Sequence, residues 1–267
     1  MRGQTATIPF SLTRGLSFSV DIYSFAPIAA VLDAAYSVVT GLQHLLAPFA
    51  GTASAALAIV LITLVLRLLL IPVGRSQVRA EFTRRRLAPR LQELQKKYKK
   101  NPEVLQQKMM QLYSDEKASP IAGILPTLAQ APVLSVVYGL FILRSVNGHP
   151  NGLLTEQLFG VPLGTSLAHL LATGAIGLDL LVYAALLAVI AVVAFTSRRV
   201  ALAFNKPADD AAPAMARLGS WLSWLPFITV LFAAFVPLAA TIYLTVTTTW
   251  TLVERHLLRR RLAPGVD

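Results

Sequence analysis

The sequence predicts an all-α polytopic membrane protein with five transmembrane helices, a cytoplasmic antiparallel helical hairpin and an N-terminal interfacial helix. Three observations predict it. The 267 residues are 55% apolar and only 14% charged, whereas a soluble domain carries about 25% charged residues. Uncharged runs long enough to cross lipid alternate with polar blocks. Finally, all but four of the 24 lysines and arginines (Arg2, Arg14, Arg67 and Arg144 are the exceptions) fall on one side of the membrane if the chain crosses five times. Four crossings would place the tail arginines outside, against the cationic bias of cytoplasmic segments. The N-terminus is therefore expected outside and the C-terminus inside.

Residues 1–26 read as an extracytoplasmic, partly disordered segment. Met1 to Phe18 lacks the apolar core of a cleavable signal. Within 27–48, Ile28, Leu32, Ala35, Val39, Leu42 and Leu46 recur on one helical face, with Asp33, Ser37, Thr40 and His44 on another. Such a helix lies in the interface; the alternative is a sixth span with its polar stripe packed inward. The first span is 53–72, whose apolar run ASAALAIVLITLVLRLLLI just crosses a core of about 30 Å.

Residues 73–119 form a polar block. Pro89 should kink its first helix. Leu87, Leu91, Leu94 and Tyr98 form an apolar stripe on that helix, and Leu105, Met109 and Leu112 one on the second. Asn101-Pro102-Glu103 is a helix start, with a cap, a proline at the first position and an acid in the first turn. The two make an antiparallel hairpin, expected to move relative to the membrane part because each seam is thin.

The second span is 120–144, with Pro126, Gln130 and Pro132 inside it. Residues 145–174 read as an extracytoplasmic loop, 175–197 as the third span and 198–218 as a cytoplasmic connection. Trp221 to Val253 carries no charge and is too long for one crossing, so it splits near Pro237 into spans 219–235 and 237–254. Residues 255–267 form a cytoplasmic tail.

Arg67 is the one charge well inside an apolar run, roughly 7 Å from the cytoplasmic end of its helix. It could simply snorkel to the headgroups. However, no Asp or Glu occurs in the middle of any span, leaving it no evident internal partner. Other spans carry polar groups: Thr63, Gln130, Ser135 and Tyr138, then Thr241, Tyr243, Thr245, Thr247, Thr248 and Thr249. Each threonine singly could bond back to its own helix. Together with an uncompensated charge, they point to a water-holding cavity between helices. Arg84, Arg85, Arg86, Lys96, Lys97, Lys99 and Lys100 give the hairpin a basic surface, suited to anionic lipid or to phosphate contact with RNA. No nucleotide loop, metal-spaced cluster or nucleophile–base set is present. His44, His149, His169 and His256 are scattered. No cofactor, metal or enzymatic activity is predicted.

The segments VLRLLLIPVGRSQ, LAPRLQELQKKYKKNPEVLQQKMMQLY, GILPTLAQAPVLSVVYGLF and VPLAATIYL resemble, in that order and spacing, the core of the YidC/Oxa-type membrane protein insertases. The resemblance covers roughly 27–258. It implies a five-helix core around a hydrophilic groove, open to the cytoplasm and to lipid and closed outside. The family arginine falls on Arg67, a groove threonine on Thr63, the second-span glutamine on Gln130 and a substrate-contacting tyrosine on Tyr243. Tyr138, Thr241, Thr245 and Thr248 complete the expected groove. The implied activity is insertion of nascent membrane proteins into the bilayer, alone or beside the Sec translocon, with the ribosome as a further partner and the bacterial plasma membrane as the location. The chain departs from the pattern at Ala240-Thr241, Leu244 and Thr248, where many members have Gly-Leu, an aromatic residue and asparagine. There is no cysteine for a lipid anchor and no large outer domain, and the tail after Arg261 is short. A small solute transporter or channel subunit using the same cavity, or a partner that assembles membrane proteins by contact alone, are the competing readings.

Overall fold

A computed structural model describes residues 26–119, 121, 130–146, 148–174, 177–204 and 220–262. The expected N-terminal segment up to residue 25, the first part of the second span with Pro126, the connection 205–219 and the tail from 263 lie outside the described residues.

The described chain is mostly helical. It comprises α1 (Ala26–Ala50), a short 3₁₀ turn, α2 (Ser54–Leu69), α3 (Ile71–Lys97), α4 (Pro102–Asp115), α5 (Ala131–Phe141), α6 (Leu167–Thr173), α7 (Leu178–Phe204), α8 (Leu225–Ala233) and α9 (Leu238–Leu262). Among the described residues, two stretches are long and apolar enough to cross a membrane, Ala26–Leu69 and Leu178–Phe204, and Ser220–Ala233 is a shorter apolar helix.

The core follows from the apolar faces. Leu32 and Val39 of α1 are fully buried against α2 and α5, on the face where Ala35, Leu42 and Leu46 are also packed. Ala55, Ala56 and Ala58 of α2 and Ala239 and Ala240 of α9 are buried. Small side chains there let the two backbones approach closely, as membrane helix pairs require when lipid offers no hydrophobic drive. Helix α9 also packs on α7, and α8 on α7.

The described residues of 145–174, a stretch expected as a loop, include two short hairpins, a 3₁₀ turn and α6. Strand Ser145–Val146 pairs antiparallel with His149–Pro150, and Gln157–Leu158 with Val161–Pro162. The second hairpin turns at Phe159 (φ 52°) and Gly160 (φ 87°), both left-handed, as a tight primed turn needs. Strands of two residues leave no alternation to read. This cap supplies acceptors to a helix start: the Leu238 N–H donates to Thr165 O (2.8 Å), and the Ala239 N–H to Leu163 O (2.9 Å). Those donors would otherwise be orphans of the break at Pro237. Tyr183 Oη donates to Thr165 O from α7. Asn151 Nδ2 donates to Leu140 O (2.7 Å) and Leu143 O (3.0 Å), closing the end of α5. Asn151→Ala is expected to lower unfolding free energy by about 1–3 kcal/mol, because it strands buried carbonyls; thermal unfolding in detergent measures it.

Two helices run further than the sequence suggests. Helix α7 continues past Arg198 and Arg199 to Phe204. The Arg198 guanidinium lies 4.2 Å from the Trp224 ring centroid, and that of Arg199 lies 4.6 Å from Phe195. These cations cover aromatic rings instead of ending the helix. Helix α9 continues through the expected tail to Leu262, held by Arg259 Nη2 donating to Glu81 Oε1 at 2.6 Å.

Candidate functional site

The C-terminal part of α2, the start of α3, Gln130 and the second half of α9 enclose a hollow of about 220 Å³. Arg67 projects from the last turn of α2 and its Nε donates to Thr247 Oγ1 at 3.1 Å. Gln77, Gln130, Thr251, Glu254 and Arg255 line the same space. Two guanidinium groups, one carboxylate and two side-chain amides thus meet beside mostly apolar helices.

The Glu254 side chain of α9 lies against α3 at Gly74. A Cβ built on it would lie 2.1 Å from Glu254 Oε1. Glu254 Oε2 accepts from Trp250 Nε1 at 2.8 Å, while Oε1 is buried with no partner among the described residues. Arg67 is therefore not isolated within the protein, as the absence of mid-span acids suggested. It has a hydroxyl partner and shares its hollow with a carboxylate from the last turns of α9.

Of the eight expected groove residues, the structure brings Arg67 and Gln130 to this hollow and places the others elsewhere. Thr63 is fully buried and donates to Ile59 O at 2.6 Å. It lines a separate hollow of about 390 Å³ between α1, α2 and α5, whose walls are apolar. Thr241 is fully buried and donates to Ala233 O at 3.0 Å, tying the end of α8 to α9. Thr245 donates to Thr241 O and Thr248 to Leu244 O, both at 2.8 Å, which is the back-bonding that satisfies a hydroxyl in lipid. Tyr243 is half-buried with its ring 6.0 Å from that of Phe141. Tyr138 is 44% exposed.

The residues that sequence reasoning missed are Gln77, Thr251, Glu254 and Arg255; Thr247 was noted only as one of several threonines. The available signal was spacing. Positions 247, 251, 254, 255 and 258 share one helical face, and 67 and 247 face each other because small alanines set the contact higher up.

The basic hairpin surface is displayed as well as held. Arg84, Arg85, Arg86, Lys96, Lys97, Lys99 and Lys100 are all exposed. Arg86 and Arg90 both bond Glu116 across the two helices, and Asn101 caps α4 by accepting from the Val104 N–H at 3.3 Å. The lower half of α3 meets the bundle: it packs on α9, and Phe82 meets Phe204 edge-on at 5.7 Å. The Phe204 ring carries the guanidinium of Arg85 at 4.3 Å and that of Arg259 at 4.2 Å. Phe204→Ala is expected to loosen this contact. Trypsin cleavage between residues 84 and 100 should rise severalfold in rate, because proteolysis follows the open population, while thermal unfolding of the rest changes little.

Among the described residues no group of three or more His, Cys, Asp or Glu could hold a metal, and the four histidines lie apart on α1, the 145–174 cap, α6 and α9. The arrangement can accept and donate hydrogen bonds to a peptide and hold a carboxylate.

The family model described as "60Kd inner membrane protein" matches residues 46–264. The chain is 36% identical to the membrane protein insertase YidC of Clostridium perfringens over 115 residues, 43% of this chain and 48% of that protein. It is 40% identical to the YidC insertase of Chlamydia caviae over 103 residues, 37% of this chain and 13% of that protein. It is 32% identical to the inner membrane ALBINO3-like protein 2 of the Chlamydomonas reinhardtii chloroplast over 157 residues, 59% of this chain and 34% of that protein. The matched part spans about half the length, or less, of these relatives. With the match extending over most of the sequence and every described helix from α2 to α9, the chain belongs to the YidC/Oxa family.

Proposed function

We propose that the protein is a membrane protein insertase that works without covalent chemistry. The observation that carries this reading is the hollow around Arg67, polar at the basic end of the bundle and backed by packed apolar side chains. From Ile59, fully buried, to Arg67 is about 12 Å along the α2 axis. Ile59 belongs to one core cluster with Ala55, Phe141, Leu238 and Ile242, all buried. A polar segment can thus enter part-way and meet a dry layer.

On this reading five helices span the bacterial plasma membrane, with the N-terminus out, the C-terminus in, and the 73–119 hairpin in the cytoplasm. Residues 27–48 lie along the outer interface and pack on α2. A charge at the centre of a bilayer costs at least about 2.5–3.5 kcal/mol. Water in the hollow shortens the low-dielectric path a substrate's polar segment must cross. Arg67, assisted by Gln130, holds an acidic side chain of that segment; Glu254 and Arg255 set the local charge. The apolar segment then partitions into lipid, which drives the step. Tyr138 and Tyr243 contact the substrate nearer the lipid side. The exposed hairpin cations receive the ribosome or its nascent chain, and the Sec translocon is a second partner for longer substrates.

The test is reconstitution of the purified protein in liposomes with a single-span substrate carrying an acidic outer tail. Protease protection of the tail supports the proposal. Protection no greater than in protein-free liposomes overturns it.

A further inference from the structure

Next to the Arg67 hollow along α9, and sharing Thr251 and Arg255 with its lining, is a second crevice of about 270 Å³, between α7, α8 and α9. Ile190 and Val193 of α7 and Leu252 of α9 form its walls; Arg255, His256 and Arg259 stand at one end. No carboxylate is among its lining residues. Glu81 engages only Nη2 of Arg259, and Nε of Arg259 is buried with no partner among the described residues. The same holds for Nε of Arg198, on the adjoining turn of α7, whose guanidinium lies over Trp224. A buried guanidinium N–H without an acceptor is costly to leave unmade. Arg259 lines the crevice and Arg198 does not; the unmatched N–H of Arg259, beside the cations Arg255 and Arg259 at the rim, therefore calls for an anion with several acceptor oxygens.

We infer that this crevice seats the phosphate headgroup of an anionic phospholipid from the leaflet that meets the basic end of α9. The outer faces of the same two helices are apolar and open: Val192, Leu225 and Ile228 are all more than half exposed. An acyl chain would lie along those faces while the phosphate meets the arginines. A soluble anion would leave them bare. Trp224, half-exposed beside Arg198, stands at the level where aromatic rings meet headgroups. Basic pockets between membrane helices are suited to such lipids.

The chain has three tryptophans, so Trp221→Phe with Trp250→Phe leaves Trp224 as the reporter. In phosphatidylcholine nanodiscs, acyl-brominated phosphatidylglycerol is expected to quench Trp224 more than brominated phosphatidylcholine at equal mole fraction. Arg255→Gln should lower that preference about fivefold, the size expected for one cation close to a headgroup. Arg259→Lys, which keeps the charge but loses the guanidinium, should also lower it. Arg199→Gln removes the same charge from an exposed site outside the crevice, and should leave the preference in place. Equal quenching by the two lipids overturns the inference. So does an Arg199→Gln effect as large as that of Arg255→Gln, which would indicate general surface attraction. Loss of the preference on adding inorganic phosphate overturns the lipid assignment.

Discussion

Arg67→Ala is expected to reduce insertion of an acidic-tailed substrate by roughly 10- to 100-fold in initial rate, the equivalent of one charge-assisted hydrogen bond of about 1.5–3 kcal/mol. The protein itself should remain folded. Its one described side-chain bond from Arg67 goes to Thr247, which can turn to its own helix as Thr251 does onto Thr247 O. Arg67→Lys should retain part of the activity, since it keeps the charge but not the fork geometry. A substrate with a neutral tail should be affected far less by either change. The protease-protection assay in liposomes measures all four combinations. Full activity of Arg67→Ala on the acidic tail removes the role assigned to the guanidinium.

The second large effect is expected at Gly74. Alanine is normally the better helix former by about 1 kcal/mol, so an increase in stability would be the ordinary outcome. Here the added Cβ would sit 2.1 Å from Glu254 Oε1. That atom ends a flexible side chain, so the carboxylate swings into the hollow and gives up its bond from Trp250. We expect Gly74→Ala to stay within about 1 kcal/mol of the parent in stability, the gain in helix propensity offsetting the lost bond, and to lower insertion because the carboxylate is displaced into the hollow that Arg67 lines. Glu254→Ala in the same chain should restore part of the insertion, because it removes the carboxylate that the new methyl group would displace, though not the charge that Glu254 supplies to the hollow. Thermal unfolding and insertion, measured on the two single variants and the double, form a closed cycle. Insertion by Gly74→Ala equal to that of the parent would show that the methyl group does not displace the Glu254 carboxylate into the hollow.

Much of the helical layout was legible because it rests on local rules. Asn101-Pro102-Glu103 marks the start of α4 at Pro102, and Pro237 separates α8 from α9. The apolar face of α1 is the one that packs, as the spacing of Leu32 and Val39 implies. The fold of 145–174 was not legible, since its order comes from long-range carbonyl and amide bonds to α5 and α9 rather than from any repeat. Nor were the lengths of α7 and α9. Arginines read as ends of apolar runs, whereas here they stack on Phe195, Trp224 and Phe204.

At the site, Arg67 was visible as a charge in an apolar run and Gln130 through resemblance. The direction of each threonine hydroxyl was invisible in sequence: Thr63, Thr245 and Thr248 all bond to their own helices, the alternative that the sequence left open for each of them. Glu254 was hidden by its position after the apolar run, at the edge of the tail. Only the close passage of Gly74 and the partnership with Trp250 bring it to Arg67.

The central claim is that water reaches Arg67 from the basic end of the bundle and stops short of the opposite face. The chain has no cysteine, so single cysteines report without background. Thr251→Cys, in the hollow, and Ala240→Cys, in the buried layer beyond it, are treated in sealed vesicles of either orientation with a thiol reagent that cannot cross the membrane. The account predicts labelling of the thiol at position 251 from the cytoplasmic side alone and none at 240 from either side. Labelling at 251 from both sides would make the cavity a channel, and labelling from neither would leave Arg67 in a sealed, dry site; either result contradicts the account.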